Sequence, residues 1–595
     1  MTRRPLRPLA GVIRARRMGE DPDRIEAHRR AERLQALRAA ERRRAEWRLT
    51  LLGFGIVVAF AATFLRMAAI AVSEPAEPAI AAADSPPAIA RADITDRNGR
   101  LLATNILAHA IFSEPAWMVD PDAAAEGLAR IFPDLDAEEL KARFARKRFF
   151  FLRQAVTPEQ MQAVHDLGEP GLKFAPREVR VYPAGRALAH VLGATGIRNA
   201  DVDAAELRGT AGVELWFDDE LSDPARPIGP DGRPQPLALS IDLTAQVALR
   251  EILAAGMART RARGAAGVVL DARTGAIIAM VSLPDFDPNR RPRDPADPRL
   301  FNRAAQGVYE LGSTLKPVTA AMVMERGLAG PDTMVDATPF RWAGMRVTDI
   351  HRMPPRLSLA RVIAESSNPA TARLAILAGA RAQRDILERL GFFGVSGVEL
   401  PEAAQARPLL PPRWSDPYVI TVSFGHGIAV TPLHLAAAYA TMTNGGLRVR
   451  PTLRREAAPA TEADRVLPAE VSRQLRAMLR LAVTEGTGKA ADVPGYLVGG
   501  KTGTAEKIGP DGRYDPKRTL TTFAGIFPAD DPAYVVVLTL DEASVEAHGR
   551  TWRTAGWTVA PLAGETIRRL APILGVRPRP EPTPERAPTL IKVRN

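Results

Sequence analysis

Apolar and polar positions along this chain change their pattern sharply at residue 49. Residues 49–65 carry no charge, and after Arg66 the apolar character resumes as far as residue 72. A run of this length predicts one helix, residues 49–72, that spans a lipid bilayer. Arg66 lies near its outer end, where a long cationic side chain can extend to the interface. A cleaved signal peptide is the competing interpretation, since Ala-Ile-Ala at 69–71 is typical of a cleavage site. We favour the membrane anchor, because the apolar region and the basic region are both longer than usual for a signal peptide.

Residues 1–48, which precede the apolar run, are rich in arginine. Between Arg24 and Arg48 acidic and basic residues alternate among Ala and Leu, a pattern typical of a solvated helix with ion pairs between positions i and i+4. Because positive charge marks the cytoplasmic side, residues 1–48 are predicted to be a cytoplasmic tail and the chain after residue 72 to lie outside. Two roles stay open for this helix: a retention segment, or a contact for anionic lipid headgroups.

Beyond the apolar run, composition divides the chain into a linker, two domains and a tail. Residues 73–90 are rich in Ala and Pro, which predicts a spacer. Residues 91–234 contain short mixed elements and predict an α+β domain with no catalytic constellation. The turn-rich segment 227–234 leads into a second domain, residues 235–576. Residues 577–595 are rich in Pro and charge, which predicts a disordered tail.

The spacing of apolar positions predicts both helices and strands in these domains. The predicted helices are 136–147, 158–166, 243–257 and 560–574. The predicted strands are 266–270 and 276–281, which form a hairpin, and 534–540. The fold class is therefore mixed α/β.

Composition limits the function classes. At 595 residues the chain is too long for one typical domain, and with 46% hydrophobic residues it can bury large cores. Cysteine is absent, which excludes disulfides, thiolate metal sites and a cysteine nucleophile. The net charge of +12 is compatible with nucleic-acid binding, but arginine is concentrated in residues 1–48. We therefore expect no nucleic acid as partner, because the membrane separates that segment from the candidate chemistry below.

Three short motifs in the second domain carry that candidate chemistry. They are Ser-Thr-Leu-Lys at 313–316, Ser-Ser-Asn at 366–368 and Lys-Thr-Gly-Thr at 501–504. Singly, the second is typical of a helix cap before a proline, and the third of an ordinary strand end. Their order and context together indicate a serine acyl-transfer site.

Lys316 is the candidate base for a Ser313 nucleophile. Gly312 allows a sharp turn before an apolar run, so Ser313 is predicted to open a buried helix. Helix positions i and i+3 share one face, which brings the Lys316 amine to the Ser313 hydroxyl. A lysine acts as a base only when burial or another cation lowers its pKa, and Lys501 is the predicted cation. A helix N-terminus also aims the Ser313 N–H at a developing oxyanion.

The third motif is predicted to be a strand, residues 496–505, to which an extended peptide adds as a further strand. Gly503 provides a small side where the peptide approaches closely. The Thr504 N–H is the second predicted oxyanion donor. The hydroxyls of Thr502 and Thr504, together with Lys501, are predicted to face the terminal carboxylate of the substrate.

The second motif supplies the remaining polar groups. The Ser366 hydroxyl is predicted to pass a proton to the leaving amine, and the Asn368 amide to hold a substrate carbonyl. This chemistry needs no imidazole, so His190 and His426 are predicted to be structural. Glu214 is likewise predicted to be a structural hydrogen-bond anchor.

At these residues the chain resembles class B penicillin-binding proteins, and most closely the division-specific peptidoglycan transpeptidases. The resemblance covers most of the chain after residue 90. Residues 423–432 (Ser-Phe-Gly-His-Gly, then Thr-Pro) resemble the division enzymes more than their elongation relatives. Ala92 departs from the family, which usually has glycine after arginine, but it touches no catalytic position. Three further segments carry the likeness: 96–103, 180–193 and 209–214.

The resemblance implies a fold, an activity and partners. The fold is a membrane helix, a non-catalytic pedestal of the family's dimerisation type, and a transpeptidase domain whose antiparallel sheet, formed by both ends of the domain, is covered by helices. The activity is D,D-transpeptidation of peptidoglycan stem peptides through a Ser313 acyl-enzyme, inhibited by β-lactams, without metal or organic cofactor. The implied partners are a multi-pass glycan polymerase and division-site proteins at the bacterial inner membrane, with the catalytic domain in the periplasm.

Three alternatives remain. An elongation-specific transpeptidase shares all three motifs. A β-lactamase needs an efficient deacylating water, and the Glu-x-x-Leu-Asn pattern of one β-lactamase class is missing. A non-catalytic sensor or scaffold would use its serine only to capture β-lactams.

Overall fold

The computed structural model describes residues 9–72, 91–197 and 207–579. The predicted linker 73–90, and the predicted tail from residue 580 onwards, lie outside the described residues. The chain divides into two units, Met1–Ala88 and Ile89–Asn595, each described by itself below.

The described residues form sixteen helices and eighteen strands. The helices are α1 Leu9–Arg17, α2 Pro22–Val72, α3 Pro121–Ile131, α4 Ala137–Ala145, α5 Pro158–His165, α6 Ala189–Leu192, α7 Gly212–Trp216, α8 Asp218–Leu221, α9 Leu243–Thr260, α10 Lys316–Glu325, α11 Leu359–Glu365, α12 Asn368–Arg389, α13 Asp416–Ser423, α14 Pro432–Thr443, α15 Ala469–Thr484 and α16 Val559–Ile573. The strands are β1 Ile94–Thr95, β2 Leu101–Ser113, β3 Phe150–Val156, β4 Leu172–Val181, β5 Ala194–Ile197, β6 Leu207–Ala211, β7 Leu237–Ala238, β8 Gly264–Asp271, β9 Ile277–Leu283, β10 Met334–Asp336, β11 Phe340–Trp342, β12 Met345–Val347, β13 Arg356–Ser358, β14 Gly499–Ile508, β15 Tyr514–Phe527, β16 Tyr534–Asp541, β17 Val545–Ala547 and β18 Arg550–Trp552.

Helix α2 of the first unit joins the basic segment and the apolar run in one continuous helix. Among the described residues it is the one helix that is long and apolar enough to cross a membrane. Its apolar residues between Leu49 and Met67 expose large side chains on all sides. The 24 residues 49–72 extend about 36 Å at 1.5 Å each, which exceeds the roughly 30 Å of a bilayer core. An N-terminal apolar helix of this kind fits a single-pass inner-membrane protein.

The first part of the second unit is built on a five-stranded sheet in which β2 pairs with β1, β3 and β4, while β7 extends β1. The predicted helices of this region are confirmed as α4 and α5. Asp136 caps α4 by accepting from the Glu139 N–H, and Thr157 forms a capping box with Gln160 at the start of α5. Local capping thus fixes both helix starts as the sequence indicates.

Glu214 lies in helix α7 of this region and is completely buried. Its carboxylate accepts hydrogen bonds from Arg91, at 2.7 and 2.9 Å, and from Arg180, at 2.7 Å. A buried carboxylate needs partners of this kind, because an uncompensated charge in the interior is strongly destabilising. The structural role predicted for Glu214 is confirmed. His190 is also structural: its ring Nε2 is 2.8 Å from the Arg299 carbonyl, and burial lowers its pKa to about 4.

A second five-stranded sheet carries the candidate chemistry, in the order β14-β15-β16-β8-β9. All neighbouring strands are antiparallel. Helices α9 and α16 pack on one face of the sheet, and α10, α14 and α15 on the other. Because both faces are buried, the strands β8, β9 and β16 are mainly apolar runs. The predicted strands 266–270, 276–281 and 534–540, and the predicted helices 243–257 and 560–574, are confirmed as β8, β9, β16, α9 and α16.

Candidate active site

The nucleophile candidate Ser313 lies in a tight turn before α10. Residues 312–315 form a single 3-10 turn, and the α-helix begins at Lys316. Ser313 thus lies in the first, 3-10 turn of this helical segment, as predicted, and the α-helical part follows directly. Pro317 explains why the α-helical part starts at that point, since a proline in the first turn of a helix lacks only an N–H that would have no helical partner.

Lys316 is completely buried. Its amine donates to the Ser366 hydroxyl at 3.0 Å and also to the Ser366 carbonyl. Burial lowers the pKa of Lys316 well below its ordinary value, the positive charge of Lys501 lowers it further, and the Asp349 carboxylate opposes both effects. A buried amine with a lowered pKa loses its proton readily, which is the property required of a base.

Lys501 is the second buried amine of the site. It lies on β14 and donates to the Thr502 carbonyl at 3.0 Å. Burial lowers its pKa to about 7. The charge of Lys501 disfavours a second ammonium nearby, so it lowers the pKa of Lys316 in the same direction as burial does.

The second motif combines a helix cap with a site contact. Ser366 ends α11 in the left-handed region (φ 68°, ψ 42°), and Ser367 caps α12 by accepting from the Ala370 N–H at 3.4 Å. Asn368 is the first residue of α12, and its side-chain amide donates to the Thr348 carbonyl at 3.3 Å. In this left-handed conformation, both the carbonyl and the hydroxyl of Ser366 point toward the Lys316 amine.

Strand β14 is the edge strand of its sheet and carries the third motif. Lys501 lies opposite Ala524, which packs on the α10 side, whereas Thr502 lies opposite Phe523 on the α16 side. Alternation along the strand puts Thr504 on the same side as Thr502. The expectation that Lys501 and the two threonines present their side chains together is therefore corrected: Lys501 approaches from the opposite face of the strand.

The threonine hydroxyls already have protein partners. Thr502 Oγ1 is 2.6 Å from Thr487 Oγ1, and Thr504 Oγ1 accepts from the Ala555 N–H at 3.0 Å. Thr487 was not among the predicted site residues; it lies between α15 and β14 in a Gly-Thr-Gly segment. Thr504 accepts in its bond and keeps its O–H to donate to a carboxylate ligand, and Thr502 does the same when Thr487 is the donor of their shared bond.

Glycines allow the nucleophile turn to lie directly on β14. A Cβ at Gly503 would lie 2.2 Å from the Leu311 carbonyl oxygen, and one at Gly425 would lie 1.9 Å from the Gly312 carbonyl oxygen. Gly425 also has φ +84°, a backbone conformation that L side chains rarely adopt. The small side of Gly503 therefore faces the nucleophile turn, and the approach of a peptide along β14 stays a prediction.

Gly503→Ala is expected to slow acylation of the chain by benzylpenicillin by about 10-fold or more, because a shift near 1 Å at a reacting group has effects of that order. The added methyl group also lowers the free energy of unfolding by about 1–3 kcal/mol. Both are measured on the purified protein, by intact mass against time and by thermal melting. Gly330→Ala is the control, since a Cβ at Gly330 meets nothing within 4 Å. Wild-type acylation in the Gly503 variant would contradict the argument.

Glu310 ties three elements together near the nucleophile. Its carboxylate accepts from the Gly427 N–H at 2.7 Å and from the Tyr514 hydroxyl at 3.0 and 3.1 Å. The His426 ring lies against Tyr514, with ring centroids 5.9 Å apart. Burial lowers the pKa of His426, while Glu310 and Glu506 raise it and Lys316 lowers it. The sequence predicted a structural role for His426 and did not find Glu310 or Tyr514.

Across residues 9–72, 91–197 and 207–579, no group of three or more acidic, histidine or cysteine side chains is arranged to hold a metal ion. The expectation of a metal-free reaction stays a prediction.

Comparison with known proteins gives a consistent result. Residues 265–557 match the family model of the penicillin binding protein transpeptidase domain, and residues 87–223 match that of the penicillin-binding protein dimerisation domain. The chain is 38% identical over 504 residues to a probable peptidoglycan D,D-transpeptidase FtsI of Caulobacter vibrioides, covering 83% of this chain and 82% of the relative. It is 30% identical over 507 residues to the peptidoglycan D,D-transpeptidase FtsI of Escherichia coli K12, covering 82% and 84%.

Solved structures agree with the sequence relatives. Penicillin binding protein 3 of Mycobacterium tuberculosis, complexed with aztreonam, is 27% identical with a TM-score of 0.62, and the match covers 83% of this chain and 98% of that one. The same protein complexed with ampicillin matches with a TM-score of 0.63. The mixed α/β fold with a dimerisation part and a transpeptidase part is thereby confirmed.

Proposed function

The chain belongs to the family of penicillin-binding protein transpeptidases, and from that premise we propose how its residues carry out the reaction. It is a class B, division-type peptidoglycan D,D-transpeptidase of the serine type, which cross-links stem peptides in septal wall synthesis. It binds peptidoglycan as substrate and β-lactams as inhibitors. The roles of individual residues below are our proposal.

One observation carries these roles: two completely buried lysines from different motifs lie at one site beside Ser313. Lys316 is hydrogen-bonded to Ser366, and the charge of Lys501 lowers the pKa of Lys316. A buried pair of amines is unfavourable for stability because neither has a carboxylate bonded to it in the described contacts. Such an arrangement is typical of a site where one lysine works as a neutral base.

In the proposed acylation, neutral Lys316 takes the proton of the Ser313 hydroxyl as its oxygen attacks the carbonyl carbon of the penultimate D-Ala. The N–H groups of Ser313 and Thr504 stabilise the oxyanion. The Ser366 hydroxyl receives the proton from Lys316 and passes its own to the leaving nitrogen. The C–N bond breaks, D-Ala leaves, and an ester to Ser313 remains.

In the second half-reaction, the amine of a neighbouring stem peptide attacks the ester carbon. Its proton returns through Ser366 and Lys316 to the Ser313 oxygen, so that a new amide forms and the enzyme is restored. Asn368 holds a backbone carbonyl of the donor stem, and the hydroxyls of Thr502 and Thr504 face its terminal carboxylate. Gly503 lets β14 lie against the nucleophile turn, and Lys501 acts on Lys316 from the opposite face of the strand. A β-lactam opens on Ser313 in the same way, but its leaving nitrogen stays attached.

The finer points of location and partners are also proposals. We propose that residues 49–72 anchor the chain in the inner membrane with residues 1–48 in the cytoplasm, because those residues carry the positive charge. The pedestal 91–234 and the transpeptidase domain 235–576 then lie in the periplasm after the linker 73–90. The membrane helix and the pedestal are the proposed contacts for a multi-pass glycan polymerase and division-site proteins.

Depletion of the chain from its native cells is expected to give filaments, because septal cross-linking stops while elongation continues. A Ser313→Ala copy is expected not to restore division, and a wild-type copy to restore it. The measurement is cell length by microscopy after depletion, with each copy expressed at matched levels. Round cells would indicate an elongation enzyme instead, and growth supported by the Ser313→Ala copy would indicate a scaffold.

A further inference from the structure

Asp349 follows strand β12 and lies against the second motif, although no motif includes it. Its carboxylate accepts a hydrogen bond from the Ser367 hydroxyl at 2.8 Å and one from the Asn368 backbone N–H at 2.6 Å. The carbonyl of the preceding Thr348 accepts from the Asn368 side chain at 3.3 Å. One two-residue segment thus holds the turn between α11 and α12 by three hydrogen bonds.

The position of Asp349 matters because of the shape of that turn. Ser366 is in the left-handed region, which non-glycine residues adopt only when their surroundings hold them there. The Asn368 N–H is one of the free donors at the start of α12, and a carboxylate at a helix N-terminus is favourable for charge as well as for hydrogen bonding. Asp349 therefore fixes the first turn of α12, and Ser366 stands directly before it.

Asp349 also contributes to the charge around Lys316. Two charged groups act on the Lys316 amine from different elements: Lys501 on β14 and Asp349 after β12. Lys316 in turn lowers the pKa of His426, which lies in the turn after α13. The Asp349 carboxylate raises the pKa of the Lys316 amine, whereas burial and the Lys501 charge lower it. Its carboxylate thus opposes the two effects that drive Lys316 to the neutral form.

We propose that Asp349 is a positioning residue for acyl transfer: its carboxylate holds the 366–368 turn so that Ser366 stays bonded to the Lys316 amine, and its charge sets the pH range in which Lys316 acts as base. This inference rests on the proposed function. Asp349 acts through Ser366, Asn368 and Lys316 and does not itself take part in the reaction.

The test compares Asp349→Asn with wild type in the full-length chain. Asparagine keeps the size of the side chain but loses the charge and one acceptor. The second-order rate constant of acylation by benzylpenicillin is measured by intact mass at a series of pH values from about 5 to 9. We expect the variant to acylate about 10- to 100-fold more slowly at neutral pH, since small displacements of reacting groups have effects of this size.

The pH profile separates this role from a purely structural one. The rate falls at low pH as Lys316 becomes protonated, and removal of the Asp349 charge lowers the pKa of Lys316. The acidic limb of the profile is therefore expected to move to lower pH in Asp349→Asn. Asp349→Glu keeps the charge on a longer side chain, so it is expected to lose rate while its acidic limb stays at the wild-type pH.

Asp336→Asn is the matched control. Asp336 is an aspartate of the same region. It accepts from the Thr338 N–H at 2.8 Å and pairs with Arg373 of α12, and neither contact involves the 366–368 turn. The Asp336→Asn chain is expected to be acylated with a rate constant within about 2-fold of the wild-type value, because surface substitutions usually have little effect.

Two results would overturn the inference while leaving the proposed function intact: a wild-type rate in Asp349→Asn, or a slower rate with an unshifted acidic limb. If Asp349→Asn does not fold by thermal melting, Asp349→Glu decides, because a wild-type rate in that variant contradicts the positioning role. A wild-type chain that is not acylated on Ser313 refutes the proposed function itself, and the inference falls with it.

Discussion

A Ser313→Ala chain is expected to form no covalent adduct with benzylpenicillin at position 313, and its transpeptidation rate is expected to fall at least about 10³-fold. The reason is that no other group can form the ester on which both half-reactions depend, and loss of a nucleophile of this kind has effects of that order or larger. The adduct is measured by intact mass and peptide mapping, and transpeptidation by release of D-Ala from a stem pentapeptide in the presence of an acceptor amine.

The control for this experiment makes the same chemical change elsewhere in the domain. Ser396→Ala removes a hydroxyl that has no hydrogen-bond partner within the described residues, and it is expected to acylate like wild type. Thermal melting should give closely similar midpoints for both variants, because Ser313 is half-buried in a turn held by its backbone. An adduct that persists in Ser313→Ala, or that maps to another serine, would refute the assignment of the nucleophile.

The spacing of apolar residues predicted the helices and strands whose formation depends mainly on neighbouring residues in the sequence. The strands β8 and β16 are apolar runs whose length and β-branched residues identify them, and α4 and α5 begin at residues whose capping chemistry is visible in the sequence. The sequence did not show that the segment opening at Ser313 begins as a 3-10 turn and becomes α-helical only at Lys316, next to Pro317. Boundaries of this kind are settled by a few hydrogen bonds at the turn.

The candidate site was found from its three motifs, but its contacts were predicted only in part. Spacing suggested that Lys316 pairs with Ser313, whereas the hydrogen bonds of its amine in the structure go to Ser366. Asp349 and Glu310 escaped notice because single acidic residues in loops have no pattern. Their importance comes from neighbours far away in the sequence, as between Glu310 and Tyr514. Such contacts follow from the packing of the whole domain.

Domain limits remain less sharply defined than the site. The predicted boundary near residue 234 falls between β6 and α9, and β7 at residues 237–238 pairs in parallel with β1 of the preceding region. A strand just after the boundary thus completes the sheet of the domain before it. The turn-rich segment 227–234 closes on itself, with the Gly229 N–H donating to the Arg233 carbonyl at 2.7 Å. The limits 91–234 and 235–576 accordingly stay predictions.

Lys316→Arg is expected to reduce acylation by benzylpenicillin by about 10²- to 10⁴-fold at neutral pH, the range that general-base catalysis contributes. Arginine keeps the positive charge, but its pKa above about 12 prevents it from accepting the Ser313 proton in the accessible pH range. In the wild-type site, burial lowers the pKa of Lys316 well below its ordinary value and the Lys501 charge lowers it further, so this lysine loses its proton readily. The rate constant is measured by intact mass against time.

The pH dependence distinguishes loss of the base from loss of packing. In the wild-type chain the rate is expected to decrease as pH falls through the lowered pKa of Lys316, because protonation removes the base. In Lys316→Arg this limb should vanish, leaving a slow rate that varies little below neutral pH. Lys489→Arg is the matched control, since Lys489 lies in a 3-10 turn before β14 and has no place in the proposed reaction. A Lys316→Arg chain that acylates like wild type with the same acidic limb would show that another group accepts the proton, and the proposed mechanism would then be wrong at its first step.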